Sequence, residues 1–208
     1  MSGNTNGPGS RPSDLPVIVG ITGSSGVLLA RRTVEVLCQL HIPVHVTYSV
    51  ASRQVWPDET GHSLADDLKT WKEQHGVRVY NPDDFRAPMS SGSFPTVGMI
   101  VVPCSMRTVS AIAVGASTNL LERAADVAIK EHTPLVLVPR EAPLSAIHLE
   151  NLLKLARLGV HIMPPMPQFY TQPQTVEDVV DRIARRALTL LGIHDALPPG
   201  LRWRADAE

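Results

Sequence analysis

The chain has 208 residues, 43% of them hydrophobic, which is enough for one domain with its own core. Its 19 Lys and Arg residues against 20 Asp and Glu give a formal net charge of −1, so no overall positive field favours a nucleic-acid partner. No apolar run approaches the ~18 residues that span a bilayer, and the first residues lack a signal-peptide pattern. With only two cysteines, Cys38 and Cys104, we expect a reduced cytoplasmic protein.

The first predicted strand is followed by a Gly/Ser turn. Residues 1–15 are poor in apolar side chains, and we expect a disordered tail there. The apolar run at 17–21 predicts a buried strand, and apolar periodicity predicts a helix from 27 to about 40. The turn between them, residues 22–26, completes the spacing G-x-x-G-x-x-G over residues 20–26. Free N–H groups and a positive dipole end favour phosphate at such a turn, although tight packing is an alternative use of its glycines.

A second polar junction follows the fourth predicted strand. The second, third and fourth strands are predicted at 44–48, 77–80 and 98–102. Between the second and the third, residues 51–75 are polar and mostly helical, with interruptions near Pro57 and Gly61. Residues 81–96 form a long irregular segment with three prolines, a length typical of functional loops. Residues 105–108 then begin a helix with two hydroxyls and a cation, which repeats the pattern of the first junction.

Charged residues cluster around the fifth strand. A predicted helix at 119–130 places Arg123, Asp126 and Lys130 on one face, either as a binding site or as a solvated ladder of ion pairs. The apolar run at 135–138 is followed by Arg140 and Glu141 between two prolines, so this pair lies in a loop at the carboxyl end of a buried strand.

The remaining chain completes the alternation. A helix is predicted at 145–158, a sixth strand at 160–163 and a last helix at 175–191. On the last helix we expect Arg186 at the edge of the apolar stripe, and Arg182 and Arg185 pointing outward. An Arg in that position either binds an anion or simply extends its head to solvent. Residues 195–208 are treated as a C-terminal extension of a single domain at 16–194.

This order of elements predicts an α/β fold, a Rossmann-like doubly wound and mainly parallel sheet with strand order 3-2-1-4-5-6. Strands 1 and 4 would flank the switch point, so the two polar junctions would meet in one crevice. We expect a cofactor phosphate there, with Arg140 and Glu141 nearby.

Six stretches of the sequence together match one known family: GITGSSG at 20–26, PCSMRT at 103–108, ERAADVAIKE at 122–131, PLVLVPREAPL at 134–144, IHLENLLKLARLG at 147–159 and MPPMPQFY at 163–170. By these motifs the chain resembles the UbiX-type flavin prenyltransferases, which share the fold of the homo-oligomeric flavin-containing cysteine decarboxylases. The resemblance covers residues 17–193, and its most specific motifs are PCSMRT and VPREAPL.

This resemblance implies an activity, a cofactor and partners. The family joins a dimethylallyl group from dimethylallyl phosphate to N5 and then C6 of reduced FMN, without a metal. The implied protein is a homo-oligomer, a dodecamer with active sites at subunit interfaces, whose prenylated FMN serves a UbiD-type decarboxylase.

The resemblance also implies the site residues. FMN would be bound by Gly23, Ser24, Ser25, Ser49, Ser105, Met106, Arg107, Thr108 and Arg140. The donor would be bound by Ser91, Gly92, Arg123, Lys130, Glu141, Tyr170, Arg186, Glu59 and Phe85. Among these, Arg123, Lys130 and Arg186 would stabilise the leaving phosphate. Glu141 would pass it a proton, and Ser25 would relay protons near N5. Phe85, where the family often has Trp, would shelter the allyl cation.

Two alternatives stay open. One is a carrier that binds FMN for an aromatic-acid decarboxylase without transferring a prenyl group, although such a protein needs no second phosphate site. The other is a flavin-dependent cysteine decarboxylase, whose PASANT-like loop is replaced here by PCSMRT. Cys104 as a nucleophile is a weaker hypothesis, because buried cysteines are mostly small apolar residues.

Overall fold

The structure, a computed structural model, describes residues 14–198. Its six strands are β1 (Val17–Ile21), β2 (Val44–Tyr48), β3 (Arg78–Tyr80), β4 (Gly98–Cys104), β5 (Leu135–Pro139) and β6 (His161–Ile162). Its seven α-helices are α1 (Val27–Gln39), α2 (Ser52–Thr60), α3 (Leu64–His75), α4 (Met106–Ala113), α5 (Leu120–Lys130), α6 (Ala146–Arg157) and α7 (Val176–Thr189).

The six strands form one parallel sheet in the order β3-β2-β1-β4-β5-β6, which confirms the predicted fold and strand order. Val17 at the start of β1 lies beside Val44 on one side and Gly98 on the other. The carboxyl ends of β1 and β4 are therefore neighbours, at the point where the chain changes direction across the sheet.

Two apolar layers cover the sheet. Side chains such as Val19 and Val46 pack with α1, α2, α3 and α7 on one face. Ile18 and Met99 pack with α4, α5 and α6 on the other face. Because a Cβ at Gly20 would lie 3.0 Å from Leu121, the glycine lets α5 approach β1 closely.

Helix ends follow local capping chemistry, and some predicted boundaries were wrong. Ser63 and Thr175 cap α3 and α7 through reciprocal bonds with Asp66 and Asp178. Helix α2 continues through Pro57, and ends at Gly61 in the left-handed conformation. Strand β4 runs two residues further than predicted, to Cys104, and β6 has only two residues.

The chain after α7 packs on the domain up to residue 196. Ala196 is fully buried, and its carbonyl oxygen accepts a hydrogen bond from Nη1 of Arg185 at 2.9 Å. Arg185 also donates to Asp181 at 2.8 Å, so the expectation that Arg185 points outward was wrong. Arg186 is exposed on the surface of α7. The expectations for residues 1–13 and 199–208, the disordered tail and most of the C-terminal extension, lie outside the described residues.

Within residues 14–198, no helix combines the length and the hydropathy that crossing a membrane requires.

Candidate active site

Thr22 joins the two polar junctions at the carboxyl edge of the sheet. Its buried hydroxyl donates to the carbonyl of Pro103 at 2.7 Å and accepts from the backbone N–H of Ser105 at 2.9 Å. The turn after β1 and the junction after β4 therefore meet in one crevice, as the topology predicts.

The glycine turn packs directly on the next strand-to-helix junction. A Cβ at Gly23 would lie 2.5 Å from the Cβ of Ala51, so only glycine fits there without a backbone shift. The backbone N–H groups of Gly23, Ser24 and Ser25 have no hydrogen-bond partner among the described residues. They remain available to an anion.

Glu59 occupies the amino end of α1. Its carboxylate accepts hydrogen bonds from the N–H of Gly26 at 2.9 Å to each oxygen, and from the N–H of Val27 at 2.9 Å. The first N–H groups of α1 are thus paired with the chain's own carboxylate, so the expectation that this helix end binds a phosphate was wrong for Gly26 and Val27. Sequence reasoning missed this contact, because Glu59 lies more than 30 residues away and shows no pattern that links it to the turn.

Two buried hydroxyls at this edge have no partner. The Oγ atoms of Ser24 and Ser49 are buried without a hydrogen bond, and Ser49 is held next to β1 by its N–H, which donates to the carbonyl of Ile21 at 2.8 Å. Buried hydroxyls are normally paired, so both suit a polar ligand that completes them. Together with the free N–H groups of the turn, they fit the phosphate of FMN.

Arg140 links β5 to the same crevice. Its Nε donates to the carbonyl of Ser25 at 3.2 Å, and its backbone N–H donates to the carbonyl of Cys104 at 3.1 Å. Ser105 caps α4, where its Oγ accepts from the N–H of Thr108 at 3.3 Å. The predicted FMN residues after β1, β2, β4 and β5 therefore surround one crevice.

Cys104 is fully buried at the end of β4. Burial raises the pKa of its thiol well above the usual range, which keeps it protonated. A protonated, inaccessible thiol is a poor nucleophile, so Cys104 acts as a small apolar residue.

A second cluster combines cations with a serine-rich segment. Nε of Arg123 donates to the carbonyl of Ser90 at 3.2 Å, and its Nη1 pairs with Asp126 at 2.9 Å. A Cβ at Gly92 would lie 2.8 Å from Nζ of Lys130. This donor cluster, Ser90, Ser91, Gly92, Ser93, Arg123 and Lys130, contains a buried hydroxyl without a partner at Ser90.

Within one chain, Lys130 and Arg140 lie at opposite ends of the strands. Arg140 is at their carboxyl ends, the carboxyl edge of the sheet, and Lys130 is at their amino ends, the amino edge. Helix α5 starts at the carboxyl edge, where the N–H of Leu120 donates to the carbonyl of Pro82 at 2.7 Å, just after β3. It ends at the amino edge, where the carbonyl of Pro134 accepts from the N–H of Met99 at 2.9 Å. At 1.5 Å per residue, this helix separates Lys130 from the carboxyl edge by roughly 16 Å.

The other predicted donor residues are largely exposed. Tyr170 lies in the 3-10 turn Phe169–Thr171 with 57% of its surface exposed, and Phe85 is 47% exposed. Glu141 is exposed in the loop after β5, and Arg186 donates to Thr189 at 2.7 Å on the surface of α7. Residues 14–198 of one copy do not enclose a donor between these side chains and the crevice.

Comparison with known proteins identifies relatives over most of the chain. The flavoprotein family model matches residues 8–188. A flavin prenyltransferase UbiX from Synechocystis is 44% identical over 203 residues, covering 93% of this chain and 98% of its own length.

Two solved structures are similar in fold and sequence. One is a dodecameric FMN-dependent UbiX-like decarboxylase from Escherichia coli O157:H7, with a TM-score of 0.81 and 42% identity, covering 86% of this chain and 96% of its own. The other is AnUbiX (PadA1) in complex with FMN and dimethylallyl pyrophosphate, with a TM-score of 0.84 and 37% identity, covering 92% and 98%.

Proposed function

The chain belongs to the flavoprotein family, among its UbiX-type flavin prenyltransferases, and from this premise we propose that it prenylates reduced FMN. The reaction transfers a dimethylallyl group from dimethylallyl phosphate to N5 and C6 of the flavin. The chain is thus an FMN-dependent transferase.

The observation that carries this proposal is the presence of two separate sets of anion-binding groups. The crevice offers free N–H groups and the unpaired hydroxyls of Ser24 and Ser49 to the cofactor. The donor cluster offers Arg123 and Lys130 to a second phosphate. A protein that only carried FMN would need the first set alone.

The crevice residues bind and orient the cofactor. Residues 23–25 and Ser49 would bind its phosphate, and the residues after β4 would contact the rest of it: Ser105, Met106, Arg107 and Thr108. Arg140, fixed to Ser25, adds a positive charge. Reduced FMN supplies the nucleophilic N5 and C6 positions when it is bound.

The donor residues stabilise the charge that develops as the allylic C–O bond breaks. Negative charge then accumulates on the leaving phosphate, where Arg123, Lys130 and Arg186 stabilise it more strongly than in the intact donor. Ser91, Gly92 and Tyr170 also bind this phosphate.

Neighbouring side chains transfer protons and shield the allyl cation from water. Glu141 passes a proton to the leaving phosphate, and Ser25 relays protons near the cofactor. Glu59 lies beside Ser25 at the amino end of α1, where its carboxylate accepts from Gly26. The ring of Phe85 shields the cationic allyl group from water.

A homo-oligomer completes the site. Because Lys130 and Arg140 of one chain lie at opposite edges, a second copy supplies the donor cluster to the crevice. Helix α6 and the loop before it present an apolar surface suited to such contacts, formed by Leu144, Ile147, Leu149 and Leu153, each at least 40% exposed. A dodecamer, the assembly named for the Escherichia coli relative, is the form that we propose.

Two further parts of the proposal are the cellular compartment of the protein and the enzyme that takes its product as a cofactor. We place the protein in the cytoplasm, in keeping with its two free cysteines, Cys38 and Cys104. Prenylated FMN is the product that a UbiD-type decarboxylase takes as its cofactor.

Anaerobic incubation of the protein with reduced FMN and dimethylallyl phosphate tests the activity. Mass spectrometry of the extracted flavin should show the addition of one prenyl unit. An unchanged flavin that stays bound would favour the carrier, and decarboxylation of a cysteine-terminated peptide would favour the cysteine decarboxylase. Either result would contradict the proposal.

A further inference from the structure

Each cation of the donor cluster already has a carboxylate beside it. Lys130 forms an ion pair with Glu131, the C-cap residue of α5, and Arg123 forms one with Asp126. The charges of Arg123 and Lys130 are therefore offset by two negative charges, and Arg186 adds a further positive charge to the proposed phosphate site.

The pair of Lys130 and Glu131 occupies space that is open only because residue 92 is a glycine. A Cβ at position 92 would lie 2.8 Å from Nζ of Lys130 and 2.0 Å from Oε1 of Glu131. Both charged groups of the pair therefore lie against the backbone of Gly92, so the carboxylate and the ammonium face the same serine-rich segment. Lys130 lowers the pKa of Glu131 through a hydrogen bond and its charge, so Glu131 is ionised at neutral pH.

We propose that the carboxylates of Glu131 and Asp126 make the donor site selective for a phosphate monoester over a diphosphate ester. This inference rests on the proposed function and deepens it, because it assigns a specificity role to two residues that are not donor ligands.

The selectivity follows from the charge of the donor. A phosphate monoester carries about −2 at neutral pH, and a diphosphate ester carries about one negative charge more. A cluster of two uncompensated cations would attract the more highly charged donor. With Glu131 and Asp126 present, the extra charge of the diphosphate meets two nearby negative charges. Discrimination thus comes from repulsion of the wrong donor.

Binding of both donors to the assembled protein loaded with oxidised FMN tests this without chemistry. Calorimetry would give the Kd of dimethylallyl phosphate and of dimethylallyl diphosphate for the wild type and for Glu131→Gln. We expect the wild type to prefer the monophosphate, and Glu131→Gln to reduce that preference roughly 3- to 10-fold. The effect should shrink at high salt, since partly exposed charges are screened.

Three further variants distinguish a charge effect from a loss of structure. Glu131→Asp keeps the charge and should retain the preference, and Asp126→Asn should reduce it in the same direction as Glu131→Gln. Glu73→Gln, the same change at an exposed position on α3, should leave it unchanged. If Glu131→Gln does not assemble, Asp126→Asn alone decides the outcome.

The possible failures are separable. A wild type that prefers the diphosphate, or variants that change the Kd of both donors by the same factor, would overturn this inference while prenyl transfer stands. An altered preference in a protein that transfers no prenyl group would contradict only the proposed function. If neither donor binds, both are wrong.

Discussion

Replacing Glu59 by glutamine tests whether a carboxylate stabilises the amino end of α1. In the wild type, both oxygens of the partly buried carboxylate accept from Gly26 and one also accepts from Val27, all at 2.9 Å. Glutamine keeps one acceptor oxygen but replaces the other by an NH₂ group, which faces an N–H donor. The variant therefore loses a charge-assisted hydrogen bond and the favourable interaction of the carboxylate with the helix dipole.

The expected loss in the free energy of unfolding is about 1–2 kcal/mol. For a chain of this length, that lowers Tm by about 2–8 °C. Differential scanning calorimetry of the FMN-free protein measures it, with Glu73→Gln as the matched control that should stay within about 1–2 °C of wild type. If Glu59→Gln melts like the control, Glu59 does not stabilise α1 and the account of this turn is wrong.

Three other perturbations address the crevice, the donor cluster and the core. Changing both Ser24 and Ser49 to alanine should weaken FMN binding about 10- to 100-fold by fluorescence titration, yet leave Tm of the FMN-free protein unchanged, because neither Oγ has a partner there; a parallel loss of Tm would contradict this. Gly92→Ala should raise KM for the donor several-fold by displacing Lys130, with unchanged FMN affinity; an unchanged KM would refute the close packing. Burial lowers the pKa of His45 from 6.5 to about 4, with a smaller contribution from Arg78. Between these values the unfolded chain binds a proton that the folded chain does not, so stability should fall by up to about 3 kcal/mol from pH 7 to pH 4. His45→Phe should flatten this decline in urea denaturation, and an equal slope in both proteins would contradict the assignment.

The sheet could be predicted closely because its signal is local. Val17–Ile21 and Val44–Tyr48 are runs buried on both faces, and the structure has these two strands with the predicted ends. The alternation with helices then determined the strand order through the rules of doubly wound folds.

Contacts between residues that are far apart in the sequence could not be predicted in this way. Glu59 reaches Gly26 only because α2 is packed over the turn, and Gly23 is needed because Ala51 lies 2.5 Å from its missing Cβ. Adjacent helix positions differ in direction by about 100°. An error in the assigned phase of α7 therefore gave Arg185, which is paired with Asp181, an outward orientation that it does not have.

Mixed oligomers test most directly that one active site is built from two chains. Arg140→Ala and Lys130→Ala each remove one half of the site, so each homo-oligomer should be inactive in prenyl transfer. If the two residues come from different copies, random mixing in equal amounts leaves about a quarter of the sites with both residues intact. Co-expression should then restore about a quarter of wild-type prenyl transfer, whereas mixed oligomers as inactive as either parent would show that both residues act within one chain.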